Sequence, residues 1–299
     1  MQVIQQAKLL KVLVIGDSCL DKFIYGTCER LSPEAPVPVL KHTQTKKMPG
    51  MAGNVAQNVK AFTDSVVLLT QQNKIEKIRY VDSKSNQHIM RFDDEPPLNK
   101  TDVFMAKKCQ YATKAINGDY DVVIISDYDK GFLRRAHTLE FTSRMNQRVY
   151  VDSKKRELSC FMNSIIKLNN DEHRLASHTV CNSSLLVKTM GSKGASHAGC
   201  IYPSQPVEVF DVSGAGDTFL SSFAIYHAVT GNIVEETLIH EAVHTSVDSY
   251  YYGTEKWNEQ VQKDEYRYVS TYAKNYPDRE DIAEMFPLYI AVTFFPERI

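Results

Sequence analysis

The sequence lacks an excess of charge of either sign. Its 35 Lys and Arg residues face 36 Asp and Glu residues, which leaves a net charge of −1 over 299 residues. Proteins that bind nucleic acid or anionic membranes normally carry a basic excess or a basic patch. The longest apolar runs, such as Val122–Ile125, are far shorter than the roughly 20 residues of a membrane helix. We therefore expect neither nucleic acid nor a membrane as a partner.

Paired cysteines are also lacking. The six cysteines are scattered and form no CxxC pair, which argues against a disulfide framework and against a cysteine zinc cluster. The first residues lack the basic start, apolar stretch and cleavage site of a signal peptide. Hydrophobic residues make up 43% of the chain and charged residues 24%, which is ordinary for a globular protein. We expect a folded cytoplasmic protein.

Short apolar runs that end in polar residues recur along the chain. Such runs are typical of buried parallel strands that lead into loops. Helical patterns lie between several of them, at Ala106–Ile116 and Leu133–Met145. This alternation predicts an α/β fold, a mostly parallel sheet with helices on both faces and with ligands beyond the carboxyl ends of the strands. The runs are Lys11–Ile15, Tyr120–Ile125, Arg148–Val151, Ser164–Leu168 and Leu185–Val187.

Two segments depart from this rhythm. Thr27–Gln44 contains three prolines, and Ser85–Phe92 is another candidate strand. Because proline confines a strand to a sheet edge, we expect a small β flap in which Ser32–Val39 pairs with Ser85–Phe92 over the substrate. Near the carboxyl terminus the pattern becomes helical and rich in tyrosine. We expect one domain over residues 1–231 and a helical extension over 232–299, whose different character is consistent with a gene fusion.

The sharpest local feature is the string Asp211–Phe219, which reads DVSGAGDTF. Gly214 and Gly216 allow a tight turn whose backbone N–H groups point at one spot. A helix that begins near Asp217 adds the positive end of its dipole there. Such a turn suits the charge of a transferring phosphoryl group, and Asp217 suits the abstraction of a proton from the attacking hydroxyl.

The string resembles the second signature of the ribokinase-like (PfkB) carbohydrate kinases. Other motifs agree with this resemblance, in order, between about residues 8 and 231. Within that family the sequence is most similar to the heptose-7-phosphate kinase domain used in building ADP-heptose. The further motifs are Gly16–Asp21, Leu31–Pro38, Pro49–Ala56, Ser126–Gly131, Asp152–Lys154 and Asn169–Glu172.

The resemblance implies ATP-dependent phosphorylation of a sugar or sugar phosphate, with Mg²⁺ bound by the nucleotide. Asp217 would be the general base, and Gly214, Ala215 and Gly216 would form the anion hole. It also implies that a homodimer could form through the flap. Substrate contacts would come from Asp17, Asp21, Gly50, Asn54 and Lys130. Nucleotide and Mg²⁺ contacts would come from Lys154, Asn169, Glu172, Thr189 and Gly191.

The sequence departs from the family pattern at three places. Met51 stands where the family has the second glycine of a pair that approaches the sugar. The stretches Thr70–Tyr80 and Arg174–Asn182 are shorter than in the family, and we expect a crossover helix to be missing from each. These departures leave open a non-enzymatic alternative, a degenerate kinase fold that acts as a binding module.

A second constellation follows on the next predicted helix, where His240, Glu241 and His244 form an HExxH motif. Histidines four residues apart on a helix can share a zinc ion, and the glutamate can activate its water. Residues 234–299 resemble the end of a glutamate-type zincin. In that alternative, a zinc metallopeptidase, Glu280 completes the Zn²⁺ site and Tyr272 assists the oxyanion.

Overall fold

The computed structural model describes residues 6–85, 87–99, 103–202 and 214–231, which form two sheets and their covering helices. The strands are β1 (Val12–Gly16), β2 (Ser18–Leu31), β3 (Pro38–Met51), β4 (Val66–Leu69), β5 (Glu76–Asp82), β6 (His88–Asp94), β7 (Val122–Asp127), β8 (Val149–Ser153), β9 (Ser164–Leu168), β10 (Leu185–Thr189), β11 (Ala195–His197) and β12 (Cys200–Tyr202). The helices are α1 (Ala52–Val59), α2 (Gln110–Ile116), α3 (Arg135–Ser143), α4 (Asn170–Ala176) and α5 (Ala215–Thr230).

The central sheet has eight strands in the order β12-β11-β10-β9-β8-β7-β1-β4. Its strands from β10 to β4 are parallel, while β11 and β12 form an antiparallel edge. Helices α1 and α5 pack against one face of this sheet, and α2, α3 and α4 contribute to the core on the other. The predicted α/β fold is confirmed, and a strand lies at each of the five apolar runs.

The helices differ from the prediction in two places. The predicted helix Ala106–Ile116 is interrupted at Cys109, whose extended backbone (φ −105°, ψ 113°) separates a 3₁₀ turn from α2. Helix α4, which was not predicted, and a following 3₁₀ turn connect β9 to β10; only the last three residues of α4 fall within Arg174–Asn182, where a crossover helix was expected to be missing. Between Leu69 and Glu76, by contrast, the chain forms no helix, as expected.

The flap is a separate four-stranded sheet in the order β3-β2-β5-β6. It extends beyond the predicted segments, because β2 and β3 are each 14 residues long and form a hairpin. The predicted pairing of Ser32–Val39 with Ser85–Phe92 is wrong, since β3 and β6 are opposite edges of the sheet. Strand β5 pairs in parallel with β2 and so separates the two.

Within the part of the chain that the structure describes, no helix is long and apolar enough to cross a membrane. The predicted C-terminal extension and its HExxH motif lie outside the described residues.

Candidate active site

Asp217 lies in the first turn of α5, at the carboxyl edge of the central sheet. Gly214 precedes this helix in the left-handed conformation, with φ of 87°, which glycine adopts without strain. A helix leaves its first N–H groups without intrahelical partners, so the amides of Ala215 and Gly216 are available to an anion. Asp217 itself is only 5% exposed. The predicted anion hole and the predicted base therefore share one helix terminus.

The Asp217 carboxylate accepts one hydrogen bond on each oxygen. Asn54 Nδ2 donates to Oδ2 at 3.0 Å, and Tyr128 Oη donates to Oδ1 at 3.0 Å. Burial raises the pKa of Asp217, and the nearby charge of Asp152 adds to this effect, while the two donors oppose it. A carboxylate in such a setting is chemically suited to act as a general base.

Two lysines and two carboxylates form a chain of ion pairs beside this helix terminus. Lys167 Nζ lies 2.7 Å from Asp152 Oδ2, and both side chains are almost fully buried. Lys154 contacts Asp152 and forms a closer pair with Glu172. Burial disfavours the charge of Asp152, yet Lys167 and Lys154 hold its pKa below the ordinary value.

Gly216 allows α5 to approach this ion-pair chain. A Cβ atom at Gly216 would lie 2.7 Å from Lys167 Nζ, a distance that side-chain atoms do not tolerate. Any larger residue would therefore require either the ammonium group or the helix terminus to shift. Helix dipole and buried cation thus add their positive potentials at the same place.

The predicted nucleotide residues lie at the ends of neighbouring strands. Asn169 and Glu172 form a capping box at the start of α4, in which each side chain accepts from the other residue's backbone N–H, at 2.9 and 2.8 Å. Thr189 ends β10, and Gly191 follows it with φ of 58°. Lys154 follows β8, and its link to Glu172 joins two of these strand ends.

The predicted substrate residues divide between the flap and the central sheet. Asp21 on β2 forms an ion pair with Arg79 on β5. Gly50 lies against it, because a Cβ atom at Gly50 would be 2.0 Å from Asp21 Oδ2. Asn54 on α1 contacts the general-base candidate, as described above. Lys130 follows β7, and its Nζ lies 2.6 Å from Glu95.

Asp17 is fully buried, and its carboxylate accepts hydrogen bonds from backbone amides. Oδ2 accepts from the amides of Tyr128 at 2.9 Å and Lys130 at 3.2 Å, and Oδ1 accepts from Phe132 at 3.3 Å. Burial raises its pKa. The predicted contact between Asp17 and a sugar stays a prediction; in this structure the carboxylate fixes the turn after β7.

The sequence did not single out three side chains that contact or adjoin Asp217. Asp152 and Tyr128 lie in motifs that carry the family resemblance, but no role was predicted for either. Lys167 lies within the apolar run that forms β9. A lysine in a strand of otherwise buried residues is a signal that could have been used. A buried lysine requires a charged partner, and Asp152 is its cross-strand neighbour.

Among residues 6–85, 87–99, 103–202 and 214–231, no three His, Cys, Asp or Glu side chains are grouped as metal ligands. A single carboxylate is enough for a Mg²⁺ site, because Mg²⁺ often keeps several waters and binds one or two carboxylates together with substrate phosphates. Glu172 is the predicted carboxylate. The predicted zinc ligands His240, His244 and Glu280, together with Glu241 and Tyr272, lie outside the described residues.

Comparison with curated proteins decides the family. The chain is 30% identical over 271 aligned positions to the bifunctional protein HldE of Gluconacetobacter diazotrophicus, an alignment that covers 72% of this chain and 55% of that protein. It is 27% identical over 274 positions to HldE of Nitratiruptor, with 77% and 59% covered. The chain belongs to the ribokinase-like carbohydrate kinases. It spans a little over half the length of these relatives, and no family model matches it.

Solved structures of this kinase family share the fold. Escherichia coli phosphofructokinase-2 in complex with potassium superposes with a TM-score of 0.60 at 15% identity, over 82% of this chain and 94% of that one. Ribokinase from Thermotoga maritima superposes with a TM-score of 0.55, also at 15% identity, over 80% and 93%. None of these four proteins is named as a zinc enzyme, so the zincin resemblance has no support from them.

Proposed function

We propose that this chain catalyses ATP-dependent phosphorylation of a hydroxyl group on a sugar or sugar phosphate. The observation that carries the proposal is the position of Asp217, a buried carboxylate beside the amides of Ala215 and Gly216 in the first turn of α5, where N–H groups have no intrahelical partner. Proton removal and stabilisation of a transferring phosphoryl group require these two features side by side.

The remaining residues have roles that follow from their chemistry. Lys154 and Lys167 supply positive charge for nucleotide phosphates, and Thr189 and Gly191 contribute to the nucleotide site. Glu172 and Asn169 would hold Mg²⁺, which neutralises phosphate charge when bound. Asn54 orients the base. Asp17, Asp21, Gly50 and Lys130 complete the acceptor side.

Lys77 favours a phosphorylated acceptor over a neutral sugar. The resemblance to heptose-7-phosphate kinases makes a heptose phosphate the specific candidate. Its Nζ lies 5.6 Å from the centre of the Tyr128 ring, on the flap face that turns toward Asp217. Its cationic neighbours Arg79, Lys130 and Lys154 each form an ion pair with a carboxylate. Lys77 has no such partner among the described residues, so its charge is available to an anionic substrate.

The test of the kinase proposal is Asp217→Asn, assayed for ATP consumption with a panel of hexoses and heptose phosphates. The substitution keeps the size of the side chain, so the fold and nucleotide binding should persist. Turnover should fall by roughly 10²- to 10⁴-fold, as on loss of a general base. Asp121→Asn is the control, because Asp121 accepts a bond from the Lys11 amide far from the site.

Equal ATP consumption by the wild type and Asp217→Asn, with every acceptor, would reject the kinase proposal. If the protein then still bound ATP, the binding-module alternative would lead. A response to heptose phosphates but not to free hexoses would support the phosphorylated acceptor.

We further propose that two copies of the chain associate through the flap. Side chains alternate between the faces of a sheet, so the face opposite Tyr128 carries Ile24, Ile78, Tyr80, Met90 and Phe92. Met90 and Phe92 are exposed, and an uncovered apolar face of this kind marks an interaction surface. Sedimentation should show a dimer for the wild type and a monomer for Phe92→Lys, while Leu139→Lys on α3 should remain dimeric.

The domain division at residues 231 and 232 and a cytoplasmic location remain proposals of the same kind. Limited proteolysis would test the first, because an independently folded domain should leave a stable fragment ending near residue 231.

A further inference from the structure

The backbone of Tyr128 is anchored to the central sheet. Its amide donates to Asp17 Oδ2 at 2.9 Å, and the amides of Lys130 and Phe132 donate to the same carboxylate. Asp17 is fully buried directly after β1. Three hydrogen bonds to one buried carboxylate fix the turn that follows β7, so the Tyr128 side chain starts from a rigid position.

The Tyr128 ring occupies the seam between the flap and the central sheet. Lys77 from β5 and Lys154 from the end of β8 lie over the ring, with Nζ atoms 5.6 and 5.5 Å from its centre. Such cation–π contacts stabilise the ring where it is. It also packs against a small buried cluster formed by Cys19, Met51 and Ile75.

The hydroxyl of this ring reaches the candidate base. Tyr128 Oη lies 3.0 Å from Asp217 Oδ1, while Asn54 Nδ2 lies 3.0 Å from Oδ2. One donor on each oxygen prevents rotation of the carboxylate. Each oxygen keeps a second lone pair, which remains available to the hydroxyl of an acceptor.

We infer that Tyr128 is a positioning residue for Asp217. It holds the carboxylate in one orientation and, as a donor, favours its ionised form. Burial, above all, and the charge of Asp217 raise the pKa of the Tyr128 phenol, so the phenol keeps its proton and donates. This inference rests on the proposed kinase function for its kinetic test, but its electrostatic part can be tested without a substrate.

Several charged and polar groups around Asp217 act on its pKa. The central sheet contributes Asp152, which raises the pKa of Asp217, and Lys167, which lowers it; α1 contributes the neutral amide of Asn54. Lys77 from the flap and Lys154 face the Tyr128 ring. Since the Tyr128 hydroxyl lowers the pKa of Asp217, its removal should raise that pKa and move the acid limb of kcat/KM to higher pH.

The experiment is Tyr128→Phe, which keeps the ring and its packing and removes only the hydroxyl. A hydrogen bond to a charged group contributes enough that kcat should fall by roughly 10- to 100-fold, with little change in either KM. Tyr150→Phe is the matched control, because Tyr150 Oη contacts His227 Nδ1 at 2.7 Å. It loses a part-buried hydroxyl away from Asp217, so its pH profile should match that of the wild type.

A substitution that strengthens the donor gives the opposite expectation. 3-Fluorotyrosine incorporated at position 128 carries a more acidic phenol in the same shape, so it should move the acid limb to lower pH. This variant also keeps the inference open to rejection if Tyr128→Phe fails to fold.

A carboxyl titration by NMR on the protein without substrate separates the two proposals. The Asp217 signal is assigned by its loss in Asp217→Asn. A higher Asp217 pKa in Tyr128→Phe than in the wild type supports the inference even if no acceptor is phosphorylated, which would reject the kinase proposal alone. An unchanged pKa, or unchanged kinetics in an active enzyme, would overturn the positioning role.

Discussion

The central sheet and the flap use opposite means to stay folded. Every residue of β1, β7, β8 and β9 is buried, so hydrophobic burial stabilises these short strands from both faces. In β3, by contrast, only the last two of 14 residues are buried. The flap relies on backbone pairing and on ion pairs, of which Lys22–Glu76 and Arg79–Asp21 join β2 to β5 and Arg91–Asp93 lies within β6.

This difference explains where the candidate chemistry lies. A sheet with both faces covered exposes only its strand ends, and there the structure gathers Asp152, Lys154 and Thr189. A sheet with uncovered faces offers surface to a substrate or to a second chain. Tyr128 lies at the seam between the two sheets, where it contacts Asp217 and packs against the cluster that contains Met51.

The sharpest contrast should come from two ion pairs of different depth. Asp152→Asn leaves Lys167 without its carboxylate partner in a pair whose side chains are 4% and 3% exposed, and loss of one partner of a buried pair costs about 3–5 kcal/mol. Asp93→Asn breaks a flap pair at 52% and 34% exposure, where about 1 kcal/mol or less is expected. Urea unfolding of both variants measures the difference, and equal losses would contradict it.

Asp152→Asn should also change how the unfolding free energy depends on pH. Because the folded-state pKa of Asp152 lies below its ordinary value of 3.8, its contribution to stability is complete above that value and is lost as the pH falls toward the folded-state pKa. The stability of Asp152→Asn should therefore not show this decrease as the pH falls. Its unfolding free energy should approach that of the wild type as the pH falls below about 4. Parallel curves at all pH values would show that the charge is not responsible.

Core packing should separate the two sheets in a similar way. Ile166 on β9 is fully buried, so Ile166→Ala should cost about 2–5 kcal/mol in unfolding free energy. Met90 on β6 is 52% exposed, so Met90→Ala should change the stability of a monomer by about 0.5 kcal/mol or less. A loss at Met90 that depends on protein concentration would instead identify the flap face as a dimer interface.

The smallest difference between paired variants is expected at Met51, at the seam itself. Met51 is buried with φ of 56° and ψ of −132°, a conformation that side chains disfavour by about 1–3 kcal/mol. Met51→Ala and Met51→Gly both remove the packed side chain, but only glycine relieves the backbone. The glycine variant should be the more stable by about 1 kcal/mol. Thermal unfolding would refute this if alanine were the more stable, as it is at ordinary positions.

Much of the central sheet could be predicted because its strands are buried on both faces and so appear as continuous apolar runs. The flap could not be predicted to the same extent. Its strands are exposed and polar, so no periodicity in the sequence indicates that β5 inserts between β2 and β6. Helix α4 was missed because its seven residues carry little amphipathic pattern.

For the candidate site, the sequence by itself determined the glycine turn, because only glycine adopts the left-handed conformation of Gly214 freely. It also determined that Asp217 lies near the start of a helix. Only the tertiary structure decided which side chains contact it. Asn54 and Tyr128 lie 163 and 89 residues away along the chain, and the order of the strands, not local propensity, brings them to the same carboxylate.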